Sequence, residues 1–460
     1  MGDGSFGSRG VARALVAISA TLASVIGAFA AYGVVKYVGA SDEGVIDDFV
    51  PDGSSGTSFD DAGVGPCVED VCTYLLLGSD SRAGLTPEEQ AAYGDNEHIG
   101  GSRADTIMLV QLDPRREKAV VLSFPRDLWV DIPDHGWDKI NQSFEGGVRG
   151  GGPQRVAETL HRLTGLTINH FLYVDLLGFQ RIVETLGGVE MCVPFEVHDP
   201  LAGLDLQPGC QTLDGKQALG YVRTRHAPCD ESAPDLHRIA RQQQFLRAVI
   251  NRMLEPSELV NAPNLVEPVL ASLTRDRELA IADLAFLVGQ LRGISTGAVE
   301  FRAVPAVPDA ATPPGSSTEV SILRTDPSAE SLFRALRDRS PLPTTGVEQV
   351  NTPPSPANVV AAAIDTGDAA AATRVEDFLS TSGFDVTPGI VPLTKVDVRT
   401  DGPAILYAPG SEQEAEVAGQ YLPGVELREA ELPRGWHVAI LATPGFRPDR
   451  VVEAGGEPDC

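Results

Sequence analysis

Positive charge is scarce in this chain of 460 residues, where 36 lysines and arginines face 64 aspartates and glutamates for a net charge of −28. So acidic a surface is repelled at long range by nucleic acid and by an anionic membrane face, which excludes both as partners of the protein's general surface. Cysteine is scarce as well. The six residues Cys67, Cys72, Cys192, Cys210, Cys229 and Cys460 show no zinc-knuckle spacing, and outside a membrane an even count favours disulfides over a metal site. Cys192 with Cys210, which flank a loop, and Cys67 with Cys72, which close a small ring, are the expected pairs. The pairing of Cys229 and Cys460 stays open.

Charge is missing altogether from ALVAISATLASVIGAFAAYGVV, between Arg13 and Lys36. A helix of this length crosses the roughly 30 Å of bilayer hydrocarbon. Arg9 and Arg13 precede it and Asp42, Glu43, Asp47 and Asp48 follow, so the basic flank is expected in the cytoplasm and the bulk of the chain outside the cell. An uncleaved single-pass anchor is expected rather than a signal peptide, because the run exceeds a usual signal core and no clear cleavage site follows.

What the chain has is 42% apolar content, enough for two folded cores at this length. The expected organisation is a cytoplasmic tail over 1–13, a transmembrane anchor over 14–36 and a flexible Gly, Ser and Asp-rich stalk over 37–66, with a reach of about 30 Å. A catalytic domain follows over 67–307. TYLLLG, TIMLVQL, AVVLSF and INHFLYV read as strands buried on both faces, and PQRVAETLHRLTG, LLGFQRIVETLGG and DLHRIARQQQFLRAVINRML as helices, so this domain is expected to be α/β with a central mixed sheet flanked by helices. Residues 308–357, with PDAATPPGSS, SPLPTTG and NTPPSP, read as a Pro-rich linker broken by one weak helical patch, AESLFRALRD. Strand and helix alternate again over 358–447, a smaller α/β unit, and 448–460 reads as a loose tail.

Against the acidic background, YVRTRHAPCDESAPDLHRIARQQQF stands out: Arg223, Arg225, Arg238 and Arg241 fall close together. In an extended segment Arg223 and Arg225 would point to one side about 7 Å apart, a spacing that suits two linked phosphates. Asp235 begins a helix on which Arg238 and Gln242 share a face beside the apolar line Ile239, Leu246, Val249 and Ile250. GSDSR and SRADT put Asp80, Arg103 and Asp105 at strand ends, SFPRD puts Arg126 and Asp127 after a strand, and WDKIN adds Lys139 and Asn141. Each alone fits a surface ion pair or a turn, as His226 and His237 fit loop surface. Together, so many cations at strand and helix ends point to one focused anion pocket, since an unpaired buried cation costs several kcal/mol.

LLLGSDSR, GSRADTIML, VVLSFPRDLWVDIP, DKINQSF, the GGV stretch with its later LDG and ALGYVRTRH, and DLHRIARQQ, in this order, resemble the LytR-CpsA-Psr family of bacterial envelope proteins, in its actinobacterial form. The resemblance covers about 73–305, and the last unit resembles the small LytR C-terminal domain, with IDTGD in place of that domain's usual Asn-Gly turn. The resemblance implies a cell-wall glycopolymer ligase, a phosphotransferase that moves a glycopolymer from a polyprenyl-pyrophosphate carrier to a peptidoglycan sugar hydroxyl and releases polyprenyl phosphate. In a mycolic-acid actinobacterium it points to arabinogalactan.

The same resemblance implies Mg2+ or Mn2+ held by Asp80 and Asp105, and a pyrophosphate gripped by Arg103, Arg126, Arg223, Arg225, Arg238 and Gln242 with Lys139 and Asn141 beside them. Asp105, Arg126, Arg223 and Arg225 would carry the catalysis, with Asp105 or Asp235 taking the acceptor's proton. Phe124, Ala104 and His237 depart from the family pattern, the last at a position that bears on the headgroup or sugar. A pyrophosphate hydrolase and a non-catalytic lipid or wall-binding regulator are the competing readings.

Overall fold

The computed structural model describes residues 45–46, 64–79, 103–116, 118–147, 152–227, 234–254, 269, 272–277, 279, 299–343, 356–387, 389–392 and 402–453. The expected anchor over 14–36, Asp80, Cys229 and Cys460 lie outside these residues. Among the described residues, no helix is long and apolar enough to cross a membrane.

A seven-stranded sheet organises the first domain. Its strands are β1 (Val45–Ile46), β2 (Cys72–Ser79), β3 (Ala104–Asp113), β4 (Lys118–Phe124), β5 (His170–Val174), β6 (Thr274–Asp276) and β7 (Val299–Ala303), in the spatial order β1-β6-β5-β2-β3-β4-β7. Antiparallel pairs β2–β3 and β3–β4 sit at its centre, and parallel pairs β2–β5 and β4–β7 flank them, so the sheet is mixed, as the strand and helix alternation requires. The four expected runs form four adjacent strands of it, β5, β2, β3 and β4.

The period of two in those strands sorts side chains onto two faces. Leu75, Leu77, Ile107, Leu109, Leu122 and Phe124 pack on one face against helix α1 (Gly152–Thr164), through Val156, Ala157 and Leu160. The alternate residues Tyr74, Met108, Val121 and Phe301 turn to the other face. On that side lie α2 (Leu176–Thr185), α3 (Gly215–Arg223) and the long α4 (Pro234–Leu254), the last packed on it through Leu246 and Ile250. Local chemistry starts these helices where the sequence shows it: Asp175 accepts from the Gly178 amide, and Asp214 and Gln217 form a reciprocal capping box. Gly165, at φ +68°, ends α1 in the left-handed region, as expected of a C-terminal glycine.

Three expected boundaries are corrected. Residues 308–357 are not a linker throughout: Ala306–Ala311 and Val320–Thr325 form a hairpin, and α5 (Ser328–Arg337) follows. Ala306, Ala329, Leu332, Phe333 and Leu336 enter the same core as Leu75 and Ile107. The proline-rich PPGSS is the hairpin's loop, and Pro308 is tolerated because the strand pairs on one side only. The stalk is likewise not free over its whole length, since Val45–Ile46 adds a parallel edge strand beside Arg275 and Asp276, and Val64 is fully buried. At the other end, part of the expected loose tail is α8 (Pro448–Glu453), whose Val452 is buried.

The second unit has a sheet of Asp385–Val386, Val360–Asp365, Val438–Ala442, Ala404–Tyr407 and Glu426–Glu429 in that order, with Val391–Pro392 also pairing to Val360–Asp365. Helices α6 (Ala369–Thr381) and α7 (Glu412–Tyr421) cover one face with α8. Both expected disulfides, Cys67–Cys72 and Cys192–Cys210, are formed.

Candidate functional site

A cavity of about 430 Å³ lies between the second face of the sheet and helices α2, α3 and α4, inside the roughly 300–1,000 Å³ of ordinary ligand pockets. Its depth is apolar, with Leu76 and Met108 on the sheet, Phe179 and Ile182 on α2, and Phe245, Leu246 and Val249 on α4. Its mouth is ionic. Asp105, Arg126, Arg223, Arg225, Arg238 and Gln242 line it, which brings six of the expected site residues to one place.

The polar groups converge because most of them stand at or near the end of an element, and Gln242 one turn beyond Arg238 on α4. Asp105 opens β3, and Arg126 follows the end of β4 and donates from Nη1 to Asp105 Oδ1 at 2.8 Å. Arg126 Nε lies 3.4 Å from Asp235 Oδ2 at the start of α4. Asp235 also faces Arg225 Nε at 3.2 Å and Arg238 Nη2 at 3.4 Å, so one carboxylate spaces three guanidiniums. One turn along α4, Gln242 donates to Thr106 Oγ1 at 3.1 Å and to the Val222 carbonyl at 3.3 Å, tying α4 to β3 and α3.

Electrostatics follow from this crowding. Burial resists the ionised form of Asp235, but Arg238, Arg126 and Arg225 overcome it and hold the carboxyl down at about 2. Burial pulls Arg238 down to about 10, with Asp235 opposing and Arg225 and Arg126 reinforcing it. Arg225 is likewise lowered, first by burial and then by Arg126. Arg126 goes the other way: burial is outweighed by Asp235, Asp105 and Asp127, and its pKa rises. All these guanidiniums stay charged at neutral pH. With Arg223 the lining carries four arginines against the carboxylates Asp105 and Asp175, a positive surplus in a strongly negative chain.

Other expected site residues fall elsewhere. Arg103 is exposed ahead of β3 and does not line the cavity. Lys139 donates to Asp127 at 2.7 Å, next to Arg126, and so stands behind the mouth. Asn141 is buried, and its backbone amide donates to the Arg126 carbonyl at 3.3 Å, a contact that fixes the turn carrying Arg126. Arg223 and Arg225 do not lie on an extended segment: Arg223 is the last residue of α3, and Thr224 caps it. The apolar pattern of ALGYV decides for helix there, and both arginines reach the cavity from the helix end.

One supporting group had no signal in the sequence. Asp199, buried in a short strand far from the arginines along the chain, accepts from Thr224 Oγ1 at 2.6 Å and from the Arg225 amide, and lies 3.2 Å from His226 Nδ1. Burial raises its pKa, but the hydrogen bonds from Thr224 and His226 prevail and lower it. Arg241, itself buried, donates to the Thr224 carbonyl at 2.6 Å. The Arg-Thr-Arg turn is thereby held from both sides. Among the described residues, no group of three or more His, Cys, Asp or Glu side chains is placed to hold a metal ion.

The fold and cavity define a class: an α/β protein with an apolar pocket whose mouth is lined by arginines. The family model of the LytR_cpsA_psr family matches residues 56–327, and the chain belongs to that family. The match extends across the hairpin strands that the proline content concealed. The chain is 35% identical over 264 residues to the probable cell wall biosynthesis protein LcpB of Corynebacterium glutamicum, covering 57% of this chain and 60% of that one. It is 33% identical over 201 residues to the polyisoprenyl-teichoic acid–peptidoglycan teichoic acid transferase TagU of Oceanobacillus iheyensis, covering 43% of this chain and 57% of that one. The matched segment thus spans about three-fifths of these relatives' length. The crystal structure of Bacillus subtilis TagV is similar with a TM-score of 0.46 at 21% identity, over 58% of this chain and 95% of that one.

Proposed function

We propose that the protein transfers a cell-wall glycopolymer from a polyprenyl-pyrophosphate carrier to a sugar hydroxyl of peptidoglycan and releases polyprenyl phosphate. The observation that carries this reading is the shape of one cavity: greasy at depth, with Arg126, Arg223, Arg225 and Arg238 at its mouth. A polyprenyl tail fits the first part and a pyrophosphate the second. The relatives named for wall biosynthesis and for teichoic acid transfer support the same class of substrate.

In this reading the acceptor oxygen attacks the phosphorus that bears the glycan, and the bond from that phosphorus to the bridging oxygen breaks. Charge accumulates on the leaving lipid phosphate, where guanidiniums already in place stabilise it without rearranging. Arginine suits the task through its planar fork and permanent charge. Asp235, held near 2 by three arginines, is too weak a base to take the acceptor's proton at neutral pH and serves to space them. We assign that proton to Asp105, which ion-pairs with one guanidinium, that of Arg126 at 2.8 Å, where three face Asp235.

The donors present fit a hard divalent cation, because magnesium is commonly held by one or two carboxylates together with substrate phosphates rather than by a protein cage. Asp105 lines the mouth and would hold Mg2+ or Mn2+ there, with Asp80 as the second carboxylate of the expected pair. When bound, the ion would offset negative charge on the phosphates. We place the chain on the outer face of the cell membrane, with residues 14–36 as its single span.

The test is an assay on a lipid-linked glycopolymer with and without peptidoglycan fragments. Product joined to the fragments supports ligation. Release of free polymer at the same rate in both arms favours hydrolysis by the same site, and no turnover with either favours a binding protein.

A further inference from the structure

Helix α4 is polar on the side that faces away from the cavity. Gln243, Gln244 and Arg247 are only 1%, 3% and 2% exposed. Side chains of this kind enter a core only with their hydrogen bonds met. Gln243 finds its partners within the first domain, at Ser123 Oγ and the Arg302 carbonyl. The other two look to the C-terminal unit.

Gln244 Nε2 donates to the Ser382 carbonyl at 2.8 Å and to Tyr421 Oη at 2.7 Å, while its Oε1 accepts from Tyr221 Oη at 2.6 Å. Arg247 lies over the Phe301 ring, donates to the Val299 and Ala357 carbonyls, and faces Asp385 at 3.5 Å. Ser382, Asp385 and Tyr421 all belong to the second unit. Tyr221 stands on α3 two residues before Arg223. A single buried amide therefore joins the C-terminal unit to both helices that supply the cavity's mouth. Gln242 and Gln244 emerge on opposite sides of α4, so the helix cannot shift at one without moving the other.

The approach is close. Gly383, at φ +82°, sits against Gln244, and a Cβ there would stand 2.6 Å from Gln244 Cγ and 3.2 Å from its carbonyl oxygen. The hairpin of Val189–Val193 and Gly209–Leu213 adds to the same junction, because Cys192 and Cys210 of its disulfide pack into the core of the C-terminal unit.

We propose that the C-terminal unit is a positioning element for the arginine-lined cavity, with Ser382, Gly383 and Tyr421 fixing Gln244 and through it helices α3 and α4. Its bearing on transfer rests on the function proposed above, but its mechanical content does not. Gln244, Arg247 and Tyr421 are positioning residues that touch no substrate.

The experiment uses the purified full chain and two variants with the same kind of backbone strain. Gly383→Ala strikes Gln244, whereas Gly424→Ala, at φ +77° in the same unit, has nothing within 4 Å of the added carbon. Amide hydrogen exchange of residues 238–247 and 219–223 is measured, together with binding of geranylgeranyl pyrophosphate. Gly383→Ala is expected to speed exchange in both segments and to weaken binding, each by about tenfold, and Gly424→Ala to do neither. Tyr421→Phe, which removes one acceptor and keeps the ring, gives a milder change in the same direction and serves if Gly383→Ala does not fold. Unchanged exchange in Gly383→Ala and Tyr421→Phe overturns the proposal, as does an equal response to Gly424→Ala. If exchange responds as expected but the parent chain does not bind the probe, the positioning role holds and the reading of the cavity fails.

Discussion

In the first domain the sheet face bearing Leu76 and Met108 stands back from α2, α3 and α4, and large side chains such as Phe179 and Phe245 wall off the space between. In the C-terminal unit the corresponding layer is rich in alanine. Ala361, Ala363 and Ala442 on the strands meet Ala371 and Ala372 on α6 and Ala415 and Ala418 on α7, all at most 1% exposed. Small residues let helix and sheet approach until no room remains, whereas bulky ones hold them apart at a few points and leave a gap. The difference extends to the strand ends. Arginines crowd those of the first unit, while in the second Asp368 spends its carboxylate on the Ala371 and Gly445 amides.

The largest expected effect strikes the open unit at its mouth. Arg223→Ala with Arg225→Ala should cut transfer by about a thousandfold or more, judged against the loss of a single transition-state donor in other enzymes, with an unchanged circular dichroism spectrum. Activity at the parent level in this double variant would remove the arginines from the chemistry. Bulk added at depth sharpens the contrast next. Val249→Trp lines the cavity and should weaken geranylgeranyl pyrophosphate about tenfold while leaving inorganic pyrophosphate unaffected, whereas Ala363→Leu in the closed unit should cost about 1–3 kcal/mol in urea unfolding. Equal stability losses from both would mean that the two layers are packed alike.

The effect confined to the narrowest range of conditions is a pH slope. Asp235 lies below its ordinary 3.8, at about 2, so its ion pairs contribute stability that is fully present above 3.8 and is lost as pH falls through 3.8 toward 2. The contribution is on the order of 2 kcal/mol. Asp235→Asn should flatten that part of the acid unfolding curve, and an unaltered slope would show that the three arginines do not hold this carboxylate.

Central strands and helices were legible because their apolar periods are long and uninterrupted, as in TIMLVQL and in α4. The gathering of Asp105, Arg126, Arg225 and Arg238 was legible from their places at or near element ends, and that of Gln242 from the helix face it shares with Arg238. What hid was decided by partners distant along the chain. Pro308 and PPGSS signal a linker to any local reading, and only Ala306, Leu332 and Phe333 entering the core of β2 and β3 show otherwise. Arg223 reads as extended until Tyr221 and Val222 are seen packed in a helix. Asp199 carries no local mark at all, since its role comes from Thr224 and His226 approaching it in space.

Gln244 and Arg247 also bear on when this protein is finished. Their partners Ala357, Ser382, Asp385 and Tyr421 come later in the chain, the last 177 positions after Gln244. A chain emerging N-terminus first can form its central sheet early, yet α4 keeps unmet donors until nearly the whole polypeptide has appeared. Interrupted synthesis would therefore leave a domain with its full complement of arginines and no settled place for the helix that bears Arg238 and Gln242.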